Sequence, residues 1–343
     1  MSLETLQTIW YLLIGALFTG YAILDGFDLG VGVIAPFVAK NDEERHLLRN
    51  AIGPFWDGNE VWLLVGGGAL FAAFPHVYAT VFSGFYLALM LVLFALIIRA
   101  VSFEFRHQVA SATWQRFWDG AFFVGSLLPA LLMGVAVGNV MRGVPIDAQM
   151  EYAGTFVTLL NPFALLVGLA GLAMVVMQGS AYLLAKTEGP VAERAGKTAA
   201  IGWTALVILA AAAAIFSAIF DVPDRFDNYV AAPIVWAIPA LVVVFLALTR
   251  ISLAQGKAGR TFLFSSLSIA GLMGIFGAAN YPFMLPARNA IENSLTIANA
   301  SASQTTLMTM LIIALIGMPL VIAYTVYVYV LFRGKVRTGE GGY

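Results

Sequence analysis

Long apolar runs dominate this sequence and restrict the folds that are open to it. A helix needs about 20 apolar residues to cross a bilayer core about 30 Å thick. Short polar or charged breaks separate nine runs of that kind, at 9–37, 53–74, 77–98, 118–138, 158–185, 199–220, 230–249, 261–283 and 306–332. The sequence therefore predicts an all-α polytopic membrane protein with nine transmembrane helices.

Composition excludes the other broad classes of protein. Hydrophobic residues make up 61% of the 343 residues and charged residues 11%, whereas soluble domains have about 45–50% and about 25%. The 18 Lys and Arg residues balance 19 Asp and Glu residues, so no basic surface suits a nucleic acid. The absence of Cys excludes disulfide frameworks, iron–sulfur clusters and thiolate zinc sites.

Domain organisation follows from the breaks between the runs. None of them is long enough to form a separate domain or linker, so residues 1–343 form a single integral membrane domain. We expect its nine helices to form two four-helix bundles plus one peripheral helix.

Basic residues are distributed unequally between alternate breaks. Three breaks on one side hold Arg142, Arg225 and Arg288; those on the other side hold Lys40, Arg45, Arg49, Arg99, Arg106, Arg116, Lys186, Arg194, Lys197, Arg250, Lys257, Arg260, Arg333, Lys335 and Arg337. Loops rich in Lys and Arg stay in the cytoplasm. This imbalance predicts an N-terminus outside and a C-terminus in the cytoplasm.

Four carboxyl groups lie inside the apolar runs, Asp25 and Asp28 in the first and Asp57 and Glu60 in the second. An Asp at the centre of a membrane helix costs about 2.5–3.5 kcal/mol on the insertion scale, so these groups need a function or a partner. The two acids of each run are three residues apart, and like charges so placed can share a proton. One interpretation is a proton relay; the other is that the acids only join helices, through Asn59, Tyr21 or Arg99.

Glu104 and His107 lie in the next cytoplasmic break, where a proton could be collected, and His exchanges protons near neutral pH. Trp62 belongs to an aromatic and polar group around the second acidic pair. All three His residues, at 46, 76 and 107, fall in loops by the predicted spans. A haem buried in the membrane needs an axial ligand at that depth, so we expect this chain alone to bind no haem.

Two strings are specific enough to indicate a family, Leu24-Asp25-Gly26-Phe27-Asp28-Leu29-Gly30-Val31-Gly32 and Trp56-Asp57-Gly58-Asn59-Glu60-Val61-Trp62-Leu63. The chain strongly resembles subunit II of the cytochrome bd family of quinol oxidases. The likeness continues through Gly68-Ala69-Leu70-Phe71-Ala72-Ala73-Phe74-Pro75, Phe82-Ser83-Gly84-Phe85-Tyr86, Asn161-Pro162-Phe163 and Trp236-Ala237-Ile238-Pro239-Ala240, so it covers nearly the whole chain.

The resemblance implies a heterodimer in a bacterial or archaeal cytoplasmic membrane. In it a related subunit I carries b- and d-type haems, oxidises quinol and reduces O2 to water, and some members add a small single-helix subunit. This chain would support that reaction without binding haem.

Particular residues match residues with roles in the family. Asp57 matches an acid of a cytoplasmic proton pathway, and Glu104 an acid nearer its mouth. The residue four after Glu104 is Gln108, where the family has a basic residue. Trp62 matches a tryptophan at a hydrophobic oxygen route, with packing as the other interpretation. Asp28 and Arg99 resemble residues near a structural quinone or lipid.

Two other functions stay open at this stage. Embedded acids on Gly-rich and Pro-broken helices are also typical of proton-coupled secondary transporters. A purely structural partner subunit, whose acids are merely paired, is the third interpretation.

Overall fold

The computed structural model describes residues 1–219 and 227–336, and almost all of its regular structure is helical. The helices are α1 Leu3–Val38, α2 Asp42–Ile52, α3 Trp56–Ala73, α4 Pro75–Gly84, α5 Tyr86–Phe105, α6 Ala112–Arg142, α7 Phe156–Leu159, α8 Pro162–Lys186, α9 Gly189–Ile219, α10 Asp227–Ala231, α11 Ala237–Ala254, α12 Ala258–Asn280 and α13 Gln304–Leu331. Two short strands, β1 Phe283–Leu285 and β2 Leu295–Thr296, pair antiparallel. Arg225 and Arg337, two of the basic residues used to predict the orientation, lie outside the described residues.

Eight helices within the described residues are long and apolar enough to cross a membrane, which makes this a multi-pass membrane protein. They are α1, α5, α6, α8, α9, α11 with the 3-10 turn before it, α12 and α13. The predicted run 53–74 corresponds to α3, which has 18 residues but does not meet the same hydropathy criterion. Asp57, Asn59 and Glu60 in its first two turns lower its mean hydropathy.

The predicted boundaries of the run 77–98 are wrong. The chain forms two helices there, because α4 begins at Pro75 and ends before Phe85, and the membrane-length helix is α5. As a result Arg99, which the sequence placed in a cytoplasmic break, lies inside α5 and is completely buried. A strong imbalance of basic residues between the two sides persists without it.

Helix α1 lies at the centre of the fold, in contact with α3, α6, α8 and α12. It meets α8 where Gly30 faces Gly179: a Cβ atom on Gly30 would lie 2.0 Å from the carbonyl oxygen of Val175 and 2.9 Å from the Cα of Gly179. Gly26 has more room, because its Cβ would lie 3.8 Å from Val175. The crossing of α1 and α8 therefore requires a glycine at position 30 but not at position 26.

At the end of the molecule where α1 begins, the long connections pack together over the helices. Asn289 exchanges hydrogen bonds with the backbone of Ile146, Gln7 donates to Ser301, and the indole of Trp10 donates to the carbonyl of Leu307. These bonds join α1, α13, the connection that follows α6 and the connection that follows α12 at one end of the molecule.

At the opposite end α2 lies across the helices. Asn41 caps its N-terminus by accepting a hydrogen bond from the Glu44 backbone. Tyr182 of α8 donates to the carbonyl of Ala51, at 2.5 Å. Lys186 at the end of α8 donates to the carbonyl of Phe332, which fixes the end of α13.

Candidate functional site

Three helices bring one arginine and two carboxylates together inside the membrane region. Asp25 of α1 and Arg99 of α5 are 0% exposed, and their Oδ1 and NH1 atoms are 3.1 Å apart. Glu60 of α3 approaches the same NH1 atom to 3.7 Å and is partly exposed. Burying a lone charge in an apolar interior is prohibitively costly, so each member of this group makes the others tolerable at this depth.

Asp28 has a different set of partners. Its Oδ2 accepts a hydrogen bond of 2.7 Å from Nδ2 of Asn59, whose Oδ1 accepts one of 3.0 Å from the hydroxyl of Tyr329. Asp25 and Asp28 are thus both paired, but through Arg99 and Asn59 respectively. A proton shared between the two carboxyl groups stays a prediction.

Close helix packing places these groups. A Cβ on Gly125 of α6 would lie 2.8 Å from the Cβ of Arg99, so the glycine lets α5 approach α6 closely. The guanidinium of Arg99 lies 6.0 Å from the ring centre of Trp56, a cation–π distance. Trp56 in turn stacks on Phe103 at 5.0 Å. Small residues and aromatic rings therefore fix the arginine at the depth of the carboxylates.

Asp57 and Glu60 differ in exposure, and a proton shared between them stays a prediction. Glu60 faces Arg99, whereas Asp57 is exposed on the outer face of α3, together with Val61, Leu64 and Phe71. Glu104 is also exposed, near the end of α5. Neither Asp57 nor Glu104 has a hydrogen bond or ion pair with another described residue, so the proton route through them remains a prediction.

Trp62 packs against the central helix. A Cβ on Gly20 of α1 would lie 2.6 Å from the Cε3 atom of Trp62, so the indole fills the groove that this glycine leaves. Trp62 is half-buried in this contact. The geometry gives Trp62 a packing role, and the oxygen route stays a prediction.

A second charged cluster lies at the α2 end. Asp119 accepts hydrogen bonds from Arg49 at 2.7 Å and Arg106 at 2.8 Å, and Arg106 also bonds Asp42. The rings of His46 and His107 lie 5.2 Å apart beside this cluster. Partial burial and the positive charge of Arg106 lower the pKa of His107, so its imidazole is mostly neutral at pH 7.

The histidines are not in loops throughout, as the predicted spans had them. His46 lies on α2, His76 on α4 and His107 in the turn after α5. None lies in the middle of a membrane-length helix, where a buried haem would need its ligand. The described residues contain no group of three or more His, Cys, Asp or Glu side chains that could hold a metal ion. That this chain alone binds no haem stays an expectation.

Asp28 and Arg99, which resemble residues near a structural quinone or lipid, are both 0% exposed. Their side chains face Asn59 and Asp25. A contact of these two residues with a quinone or lipid stays a prediction.

Sequence reasoning missed Tyr329 altogether. Nothing in the sequence of the run 306–332 distinguishes this tyrosine from Tyr324 and Tyr327. In the structure those two side chains are exposed and have no hydrogen bond among the described residues. Its role follows from the packing of α13 against α3, which the sequence does not show.

Comparison with known proteins decides the family. Residues 6–332 match the family model described as cytochrome bd terminal oxidase subunit II. The chain belongs to this family. The match includes both acidic strings and every helix that meets in the buried cluster.

Named relatives of similar length agree with the family. The chain is 39% identical to the cytochrome bd-I ubiquinol oxidase subunit 2 of Escherichia coli strain K12, over 97% of this chain and 96% of the relative. It is 36% identical to the cytochrome bd ubiquinol oxidase subunit 2 of Bacillus subtilis strain 168, over 98% of this chain and 99% of the relative.

A solved structure has the same fold. A chain of the bd oxidase from Geobacillus thermodenitrificans is similar with a TM-score of 0.79 and 20% identity, covering 96% of this chain and 98% of that chain. At this identity the likeness concerns the fold alone.

Proposed function

We propose that this chain is subunit II of a bd-type quinol:O2 oxidoreductase and works as a heterodimer with a haem-binding subunit I. The observation that carries the proposal is the sequence identity of 39% and 36%, over nearly the whole chain, with two proteins that are named as subunit 2 of a ubiquinol oxidase. In the complex, subunit I holds b- and d-type haems, oxidises quinol and reduces O2 to water. This chain supplies a scaffold and a proton path, and a small single-helix subunit completes the complex in some members.

We further propose that nine helices cross the bacterial or archaeal cytoplasmic membrane, as two four-helix bundles plus one peripheral helix. Helix α3 is the ninth span, since 18 residues at about 1.5 Å each reach roughly 27 Å. The N-terminus is outside. Support comes from the basic residues Arg45, Arg49 and Arg106, which the fold gathers at the end opposite to the N-terminus.

The exposed face of α3 is the contact with subunit I. It carries Asp57 among Val61, Leu64 and Phe71, and a carboxylate facing lipid costs about 2.5–3.5 kcal/mol. A protein or water neighbour removes that cost. Helix α1, which carries the other pair of embedded acids, is mostly enclosed within this chain, so α3 is the better candidate.

The proton path runs along this face from the cytoplasm. His107, neutral at pH 7, and Glu104 collect protons at the α2 end, and Asp57 passes them across the interface. On the inner side of α3, Glu60 and Asn59 contact a buried cluster formed by Asp25, Asp28 and Arg99. This cluster fixes the position of α3 and the charge on its inner side. Gln108 gives this chain a neutral entrance at the position where the family resemblance implies a basic residue.

The Asp57→Asn variant of the purified complex tests this function. The substitution keeps the shape of the side chain and removes its titration, so quinol oxidase turnover falls at least tenfold while the haem content per complex is unchanged. Glu151→Gln is a matched control, since Glu151 is an exposed acid in the connection at the other end. Unchanged turnover in Asp57→Asn, with normal assembly, would remove the proton role and leave a structural subunit.

Two subsidiary measurements follow. The isolated chain, purified without its partner, shows no stoichiometric haem absorbance. The Trp62→Ala variant raises the oxygen Michaelis constant of the complex if the indole lines an oxygen route, whereas a packing role lowers the thermal stability and leaves that constant unchanged.

A further inference from the structure

A chain of hydrogen bonds joins the last helix to the first through Asn59. The hydroxyl of Tyr329 donates to Oδ1 of Asn59 at 3.0 Å, and Nδ2 of Asn59 donates to Oδ2 of Asp28 at 2.7 Å. Asn59 and Asp28 are buried, so water cannot freely replace either bond. Three helices, α13, α3 and α1, therefore share one polar link inside an apolar region.

The ring of Tyr329 is held in place independently of its hydroxyl. It packs on Phe55 with ring centres 4.5 Å apart. Lys186 donates to the carbonyls of Phe332 and Gly334 just beyond α13, which anchors that end of the helix. Removing the hydroxyl alone therefore leaves the ring and the helix where they are.

The two ends of the link differ in the hydrogen bonds that they offer. A carboxylate only accepts, whereas a protonated carboxyl group also donates; an amide has one donating and one accepting end. In the structure the amide presents its NH2 group to Asp28, which suits the carboxylate. When Asp28 carries a proton, its new O–H needs an acceptor, and rotation of the amide by about 180° supplies Oδ1.

A tyrosine hydroxyl is the group that serves both orientations, because it both donates and accepts. It donates to Oδ1 in the structure, and after rotation it accepts from the NH2 group. We propose that Tyr329 and Asn59 form a reversible hydrogen-bond switch that responds to the proton on Asp28, with Tyr329 as a positioning residue on the last helix. One proton is added to Asp28 and none is lost elsewhere; the amide and the hydroxyl only reorient.

Charged and titratable groups from every helix around Asp28 bear on this switch. They are Asp25 on its own helix, Glu60 on α3, Arg99 on α5, Tyr182 on α8 and Tyr329 on α13. Arg99 is engaged with Asp25 and Glu60. Asn59 is thus the donor that contacts Asp28 directly, which is why its orientation follows the proton.

The test by turnover rests on the proposed function, because it measures quinol oxidase activity; the infrared test described after it does not. In the purified complex, Tyr329→Phe removes one oxygen atom and shifts the midpoint of the pH profile of quinol oxidase turnover by about 0.5–1 pH unit. Tyr324→Phe and Tyr327→Phe are matched controls on the same helix, 68% and 61% exposed, and leave the profile unchanged. In an Asn59→Ala background, Tyr329→Phe has no further effect. An unshifted profile in Tyr329→Phe overturns the proposal.

Infrared titration of the complex gives a readout that does not depend on turnover. With 13C-labelled asparagine, one side-chain amide band changes with the same midpoint as a carboxyl band, and this change is lost in Asn59→Ala. A carboxyl band assigned to Asp28 that titrates with no change in the amide bands overturns the switch. Because the titration uses the unsubstituted chain and its control variant is Asn59→Ala, it decides the question even if Tyr329→Phe fails to assemble. Failure of the proposed function shows separately, as full turnover in Asp57→Asn.

Discussion

A single methyl group added at Gly30 should separate the two central helices. Its Cβ would lie 2.0 Å from the carbonyl oxygen of Val175, whereas carbon and carbonyl oxygen atoms in contact are about 3.3 Å apart. Helix α8 must therefore move by more than about 1 Å. The obstacle is backbone on both sides, including the Cα of Gly179 at 2.9 Å, so no side chain can rotate out of the way.

The cost of Gly30→Ala follows from these distances. Overpacking a well-packed core costs about 1–3 kcal/mol, and a clash between two backbones lies at the upper end of that range. The hydrogen bond from Gln178 to the carbonyl of Ile23, already 3.4 Å long, is lost as well, at about 0.5–1.5 kcal/mol. The two losses sum to about 3.5–4.5 kcal/mol. Alanine also favours a helix over glycine by up to about 1 kcal/mol, so we expect a net loss of about 3–4 kcal/mol in the free energy of unfolding.

Gly26→Ala is the matched control, four residues earlier on the same helix. Its Cβ would meet Val175 at 3.8 Å, an ordinary contact, and alanine favours a helix over glycine by up to about 1 kcal/mol. Reversible unfolding of the purified protein in mixed detergent micelles measures both. Equal stability of the two variants would show that α1 and α8 do not cross at Gly30.

Two further predictions concern charged groups. Arg99→Gln leaves its buried carboxylate partners uncompensated and lowers the free energy of unfolding by about 3–5 kcal/mol; Arg116→Gln, an exposed arginine without an ion pair among the described residues, changes it by less than about 0.5 kcal/mol. Partial burial opposes ionisation of Glu44, but hydrogen bonds from the backbone N–H at position 40 and from Arg194 hold its pKa below the ordinary value. Glu44→Gln therefore costs about 0.5–1 kcal/mol at pH 7, and the difference disappears as the pH falls below about 4. Glu43→Gln, an exposed neighbour without an ion pair among the described residues, changes the free energy of unfolding by less than about 0.5 kcal/mol at pH 7. A loss in Glu44→Gln that persists at the lowest pH at which the protein stays folded contradicts the ionic origin.

The length of the hydrophobic runs predicted most of the helices. In lipid the backbone N–H and C=O groups of an apolar run must form their hydrogen bonds within one helix. It failed at 77–98 because residues on both sides of Phe85 are equally apolar, so hydropathy does not show where one helix stops and the next begins. A proline at position 75 marks the start of α4. At the break, the ring of Phe85 contacts that of Tyr152, 6.1 Å away between ring centres, and the sequence does not show this contact.

The sequence predicted some residues of the buried site and missed others. The intramembrane acids are visible in the sequence because a carboxylate among apolar residues is costly. Arg99 ends the predicted span because a single charge in an apolar run looks like a helix boundary until its distant partner is known. Tyr329 and the divergent environments of Asp57 and Glu60 depend on which face of each helix meets a neighbour, and spacing of three residues does not determine that.

The pairing of Asp25 with Arg99 has a consequence for synthesis. Helix α1 leaves the ribosome about 70 residues ahead of Arg99, an interval of roughly 4 to 15 s at 5–20 residues per second. Asn59, the partner of Asp28, follows it after about 31 residues, but Asp25 has no ion-pair partner throughout that interval. An unpaired carboxyl group is costly in lipid, so we expect the insertion machinery to hold α1 in a wet or protein-lined site until α5 has been made. The first helix therefore settles later than its place in the chain implies.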